Sequence, residues 1–209
     1  MNHFRNLIII TFLFNVNVSN SQSTIPIENI AFHIKENNVY FKDVNGLFNK
    51  FLGSWEYTSG PYYFKMTLTK KEQYQYAIGI RKSIQYTDYI DCHYIYKYNG
   101  ITIYNFYPNN NLLTSNFSQS GINGYDYVIM NNNKLLLNYD EPSQTSCYRR
   151  KGGRLEIEHT YIGQTPKLIW TRTDYDKGLQ VKGFECQDGS LPDTSDFQIP
   201  ANMVLTKVN

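Results

Sequence analysis

Apolar and polar positions alternate along most of this chain with a period of two residues, the pattern of strands that bury one face and wet the other. Phe51, Gly53, Trp55 and Tyr57 fall on one side of the first stretch and Ser54, Glu56 and Thr58 on the other. A Ser-Gly-Pro turn follows, and then Tyr62, Phe64, Met66 and Leu68 oppose Lys65, Thr67 and Thr69. A third run carries Tyr74, Tyr76, Ile78 and Ile80, and a fourth carries Ile90, Cys92, Tyr94, Tyr96 and Tyr98. Asn99-Gly100 separates that run from Ile101–Phe106 and predicts a tight hairpin, because both residues tolerate the positive φ of a type I′ turn.

Residues 107–120 form a long polar loop, and Tyr125–Met130 and Lys134–Tyr139 read as a hairpin around Asn131–Asn133. Leu155, Ile157, His159 and Tyr161 then alternate with Glu156, Glu158 and Thr160, and Leu168, Trp170 and Arg172 alternate with Thr171 and Thr173. Gly183–Ala201 is loop-like, since Pro192 and Pro200 exclude a central strand, and Met203–Val208 supplies a last strand. Short strands at regular spacing, joined mostly by hairpins, predict an all-β protein, either a sandwich or an antiparallel up-and-down β-barrel of about 8–10 strands; the barrel is the expectation adopted. Residues 41–50 suit a brief helix or 3₁₀ turn, so residues 22–47 are read as an N-terminal extension or barrel plug and 48–209 as the barrel domain.

The N-terminus changes the picture. An Arg-containing start, an apolar run from Leu7 to Phe14 and a polar stretch with Ser19 and Ser21 make the three-part layout of a secretory signal peptide over residues 1–21, with cleavage after Ser21. The apolar run is too short to cross a bilayer as a helix, which needs ~20 residues. A secreted or periplasmic protein without a stable membrane span is therefore expected.

The chain has 20 Lys+Arg against 18 Asp+Glu, interspersed rather than gathered into a basic stripe, so nucleic acid is not expected as a partner. Its 19 Tyr and 12 Phe favour half-buried strands. Three cysteines, Cys92, Cys147 and Cys186, remain beyond the leader; in an oxidising compartment one pair can bridge, with Cys147–Cys186 favoured because Cys92 lies on a strand, while three unbridged thiols are the alternative. Their spacing and that of the histidines match no metal site, and no cofactor is implied.

The stretch "FLGSWEY", with Phe51, Gly53 and Trp55, resembles the opening of the lipocalin and fatty-acid-binding-protein group, the calycins, whose first barrel strand begins with Gly-x-Trp. The leader, "YFKDVNGLFNKFLGSWEYTSG" and "ANMVLTKVN" are similar to a family of exported proteins of unknown function from flavobacteria and their relatives. The calycin resemblance implies that Trp55 packs across the closed end of a lipocalin-like barrel under a basic residue of the final strand. Lys207 is the candidate for that basic residue, although a Lys there departs from the commoner Arg. These four positions are expected to be structural.

No catalytic constellation emerges. There is no Gly-x-Ser-x-Gly elbow, and adjacent Cys92 and His93 point to opposite faces of a strand. Glu156 with Glu158, and Asp193 with Asp196, are paired carboxylates without a cleft to set them across, and "DGSLPDTSD" resembles a calcium loop only in composition. An enzyme is not expected. The candidate ligand-binding residues are Tyr94, Tyr96, Tyr98, His159, Trp170 and Arg172: rings with hydrogen-bonding tips, a titratable imidazole, and a guanidinium on an apolar face that requires an anionic partner. That partner is a ligand carboxylate or a nearby Glu or Asp, and the tyrosine ladder is equally a cross-strand packing device. Two functions follow as expectations: a non-catalytic lipocalin-like protein holding a small hydrophobic or amphipathic ligand, or a cell-surface or envelope interaction module with a filled barrel.

Overall fold

The computed structural model describes residues 22–30, 37–78, 83–106, 122–123, 133–141, 151–174 and 196–208. The leader expected over residues 1–21, the loop at 107–120, the strand at 125–130, and Cys147 and Cys186 lie outside them. The described chain is all-β. Its strands are β1 (Ser23–Pro26), β2 (Val39–Lys42), β3 (Gly53–Ser59), β4 (Tyr62–Ile78), β5 (Ser83–Tyr98), β6 (Ile101–Asn105), β7 (Ile122–Asn123), β8 (Lys134–Glu141), β9 (Lys151–Ile162), β10 (Thr165–Asp174) and β11 (Asn202–Val208), with a 3₁₀ turn at Ile27–Asn29.

They form one 11-stranded sheet in the order β1-β2-β5-β4-β3-β11-β10-β9-β8-β7, with β6 also on β5. Two expectations change here. The second and third predicted strands are one 17-residue strand, β4, because an irregularity between Lys71 and Tyr74, with Gln73 at φ 52°, absorbs the break without ending the ladder. The sheet is also mixed rather than antiparallel throughout: β1 runs parallel to β2 and β2 parallel to β5, so the segment expected as an extension or plug contributes edge strands. It contributes core as well, since Ile27, Val39 and Phe41 are buried.

β5 organises the assembly. One of its edges carries β4 from Ser83 to Tyr98, while the other takes β2 at Gln85–Thr87, β7 at Asp91 and β6 from Ile95 onward. The sheet also curls. Phe64 on β4 and Trp170 on β10 are separated by β3 and β11, a distance of ~14 Å across a flat sheet, yet their ring centroids are 5.2 Å apart. Its two ends approach each other: Tyr104 of β6 donates to Glu141 of β8, and β7 pairs with β8 while meeting β5 at the single pair Asp91↔Asn123. Among the described residues no continuous ladder joins β8 to β5, so the sheet is not closed.

The concave face holds the core, and each strand sends alternate residues into it as the period-two pattern requires. Trp55, Phe64, Met66, Leu68, Tyr94 and Trp170 are all essentially inaccessible. At one end Trp55 donates its indole N–H to the Phe51 carbonyl at 2.8 Å. Lys207, paired with Trp55 across the β11–β3 ladder, places its ammonium 5.3 Å from that ring. Gly53 makes this possible: its φ is +107°, and a Cβ there would stand 3.4 Å from Lys207 Cε. Gly53→Ala is therefore expected to lower stability by roughly 1–3 kcal/mol, the cost of a side chain in that backbone region, read as a reduced urea midpoint at unchanged slope.

Candidate binding cleft

The β9–β10 ladder places His159 opposite Leu168, whereas Arg172 lies opposite Leu155. Four residues of strand, or ~13 Å, separate the two sites, so the expected ligand residues do not form one cluster. His159 belongs to the Trp55 end. Its ring meets those of Phe51, Trp55 and Tyr161 edge-on, at 6.2, 6.2 and 5.2 Å. Burial, with Lys50 and Lys207 nearby, holds its pKa below the ordinary histidine value.

Tyr94 and Trp170 occupy the middle, each against Phe64. Burial pushes the Tyr94 phenol well above its usual pKa, and both the Tyr94 hydroxyl and the Trp170 Nε1 are buried without a hydrogen-bond partner among the described residues. Tyr98 is 42% exposed at the hairpin tip, where its ring tilts against Tyr62. Cys92, beside Tyr94 on the same face, is fully buried, and that burial raises its thiol pKa far from the nucleophilic range.

At the opposite end from Trp55, β8 continues its inward alternation Leu135, Leu137, Tyr139 to Glu141, a buried carboxyl group. Its oxygens accept hydrogen bonds from Tyr139 Oη at 2.7 Å and Tyr104 Oη at 3.3 Å, and from the backbone N–H groups of Gln198 and Ile199 at 2.7 and 3.2 Å. Arg172 Nη1 lies 3.9 Å away and donates to the Ile199 carbonyl at 2.7 Å. Arg172 Nε donates to Asp174 Oδ1 at 2.5 Å, and the guanidinium stacks on Phe197 at 4.2 Å and Tyr139 at 4.8 Å.

The anionic partner that Arg172 required is thus supplied by the protein's own Glu141 and Asp174. Tyr96, its phenol pKa pushed up to about 12 chiefly by burial, donates to the Gln198 carbonyl at 2.7 Å. Close by, Gly153 has no room for a side chain, since a Cβ would meet the Thr173 carbonyl oxygen at 2.8 Å and Arg172 Cγ at 3.4 Å.

This network pins the stretch from Asp196 to Ala201 across the end of the sheet. Between that stretch and the β3–β4 hairpin opens a cleft of about 450 Å³. Its walls include Tyr57, Tyr62 and Phe197, with Asp174 and Asp196 at its border and Arg172 behind. Sequence reasoning missed Glu141, Tyr57, Tyr62, Asp196 and Phe197 as parts of a site. An acid continuing the apolar face of β8 was the available signal for Glu141. Among the described residues no group of three or more His, Cys, Asp or Glu side chains is placed to hold a metal ion, and no helix is long and apolar enough to cross a membrane.

Fold and site together define an all-β protein with an aromatic core and a capped, acid-bordered end. The chain belongs to a family of unknown function, DUF6705, whose model matches residues 1–208. No curated protein and no solved structure matches the chain.

Two outcomes test this geometry. Glu141→Gln, which leaves Arg172 short of a buried counter-charge, is expected to cost about 3 kcal/mol in urea unfolding, and Glu141→Leu with Arg172→Met less than the sum of the two single changes. The depressed pKa of His159 means that the unfolded chain binds more protons just below the ordinary value near 6.5. This contribution to stability is complete above that pH and declines as pH falls toward the folded-state value. In His159→Phe that part of the pH dependence is expected to disappear.

Proposed function

We propose that the protein is an exported, non-catalytic interaction module of the bacterial envelope or cell surface: a calycin-type fold whose β5 and β8 ends approach each other through the β7 region, whose interior is filled by its own side chains and whose working surface lies at the cleft end. The observation that carries this reading is the Phe64–Trp170 contact across the inner face at 5.2 Å, with Tyr139 also against Trp170 at 5.9 Å. Rings that meet across the interior leave their space to one another rather than to a ligand. Arg172, which otherwise is the best anchor for a ligand carboxylate, is already paired.

The calycin assignment is supported by Gly53, Trp55 and Lys207 acting together where β3 meets β11, and by the approach of β5 and β8 through Asn123. Export is supported by the three-part pattern of residues 1–21, and an origin among flavobacteria and their relatives by the resemblance of the opening and ending stretches. The absence of catalysis accords with a fully buried Cys92 and with carboxylates engaged in structural bonds.

One observation favours the second reading, a small hydrophobic or amphipathic ligand held inside. The Tyr94 hydroxyl and Trp170 Nε1 are donors without acceptors among the described residues, and a bound acceptor group would satisfy both. Native mass spectrometry of protein recovered from its exported fraction separates the two. The interaction reading predicts the bare mass of the leader-free chain; a stoichiometric small-molecule adduct, released by organic solvent, overturns it in favour of the ligand carrier.

A further inference from the structure

Cleavage after Ser21 makes Gln22 the first residue of the leader-free chain and Ser23, where β1 opens, the second. β1 lies at the edge of the strand order, in parallel register with β2 through Ser23↔Val39. Just before it the half-buried Gln22 is held by its side chain, whose Oε1 accepts a hydrogen bond from Gln73 Nε2 at 3.1 Å. Gln73 is fixed in turn: it occupies the irregularity of β4 at φ 52°, and its backbone N–H donates to Asp88 Oδ1 at 3.2 Å. Asp88 is buried and also accepts from the Tyr40 hydroxyl and the Asp43 backbone, so the position of Gln73 is set by β2 as well as by β4.

A glutamine at a chain start differs from every other glutamine in one respect. Its α-amine and its own side-chain carbonyl carbon close into a five-membered ring, so nucleophile and electrophile meet at high effective concentration. Addition of the amine forms an N–Cδ bond and places negative charge on Oε1. Collapse breaks the Cδ–Nε2 bond, a proton passes from the attacking nitrogen to the departing one, and ammonia leaves a neutral lactam; no oxidant, metal or second substrate enters. Oε1, where the charge develops, is the atom that Gln73 contacts, and a donor already aimed at that oxygen favours the addition step. The same oxygen survives as the lactam carbonyl, so the bond to Gln73 is available before, during and after the reaction. The amide nitrogen that is lost takes no part in it.

We propose that Gln22 is a modification site: once the leader is removed it cyclises to an N-terminal pyroglutamate, with Gln73 as the hydrogen-bond donor to the reacting carbonyl. The proposal rests on the export reading of residues 1–21. Its consequence falls on the sheet edge, where β1 then starts from a neutral ring in place of an α-ammonium group and offers no free amine to an aminopeptidase.

Mass spectrometry of the N-terminal proteolytic fragment, taken from protein recovered from its exported fraction, tests the site. A fragment that begins at residue 22 and is lighter by one ammonia is expected. A fragment that begins at Gln22 with its amide intact, or at any other residue beyond the leader, overturns the proposal and leaves export standing; a fragment that begins at Met1 sinks both. The role of Gln73 is read from the leader-free protein prepared with a freshly exposed Gln22, by following ammonia loss from the same fragment with time. Gln73→Asn keeps a residue that accepts positive φ and the backbone bond to Asp88 but shortens the reach, and is expected to slow the loss about threefold with the thermal midpoint unchanged. Gln73→Glu, which cannot donate once ionised, is expected to slow it at least as much. Equal rates in all three proteins overturn the assignment of Gln73.

Discussion

The buried carboxyl group of Glu141 is the constraint on which one half of this molecule depends. A carboxyl group taken fully out of water must be surrounded by donors, and here they come from β6, β8, β10 and the stretch before β11. Two are backbone N–H groups of residues 198 and 199, so the path of the chain across the end of the sheet is fixed whatever side chains those residues carry. Arg172 fits there because Gly153 vacates the space beside its stem, and Phe197 is held because Arg172 lies over it. The cleft is bounded by this arrangement and would lose its floor without it.

The other end is built on different physics. Phe48, Phe51 and Trp55 are buried apolar rings, and the polar group among them, the Trp55 indole N–H, is satisfied by a local carbonyl. The charges there, Lys50 and Lys207, sit over ring faces at the surface. Asp43 and Asp88 anchor the turn that brings Phe48 in: Asp43 accepts from the Leu47 and Phe48 backbone, and Asp88 from the backbone of Asp43 and Gln73. Hydrophobic packing secures one end and a polar network the other, with an aromatic middle that neither end disturbs.

Much of the fold was legible because a half-buried strand announces itself by alternation. Trp55, Phe64, Tyr94 and Trp170 all lie on the face their periodicity assigned, and the Asn99-Gly100 turn lies where the sequence placed it. What alternation does not carry is pairing. Nothing in Val39–Lys42 or Ser23–Pro26 distinguishes an edge strand added in parallel from a plug, and a two-residue strand such as Ile122–Asn123 is too short to have a period. The site was less legible. Arg172 was recognisable as a buried cation in want of an anion, and one of its acids, Asp174, stands two residues on in the same strand, but the buried one, Glu141, lay 31 residues earlier on another strand. Which of two allowed partners meets it, protein or ligand, is settled by how the sheet curls, and curl leaves no trace in a residue pattern.

The place of β11 carries a consequence of another kind. β3, the first long strand, has β4 on one edge and on the other accepts only β11, the last strand described, through Ser54–Glu56 and Thr206–Val208. A growing chain can form the β3–β4 and β4–β5 hairpins early, but the other edge of β3 waits for β11, far along the chain. Pairing across so long a loop is costly in chain entropy and slow. The local hairpins can therefore precede the β3–β11 seam, and until that seam forms the free edge of β3 stays open to pairing with another strand.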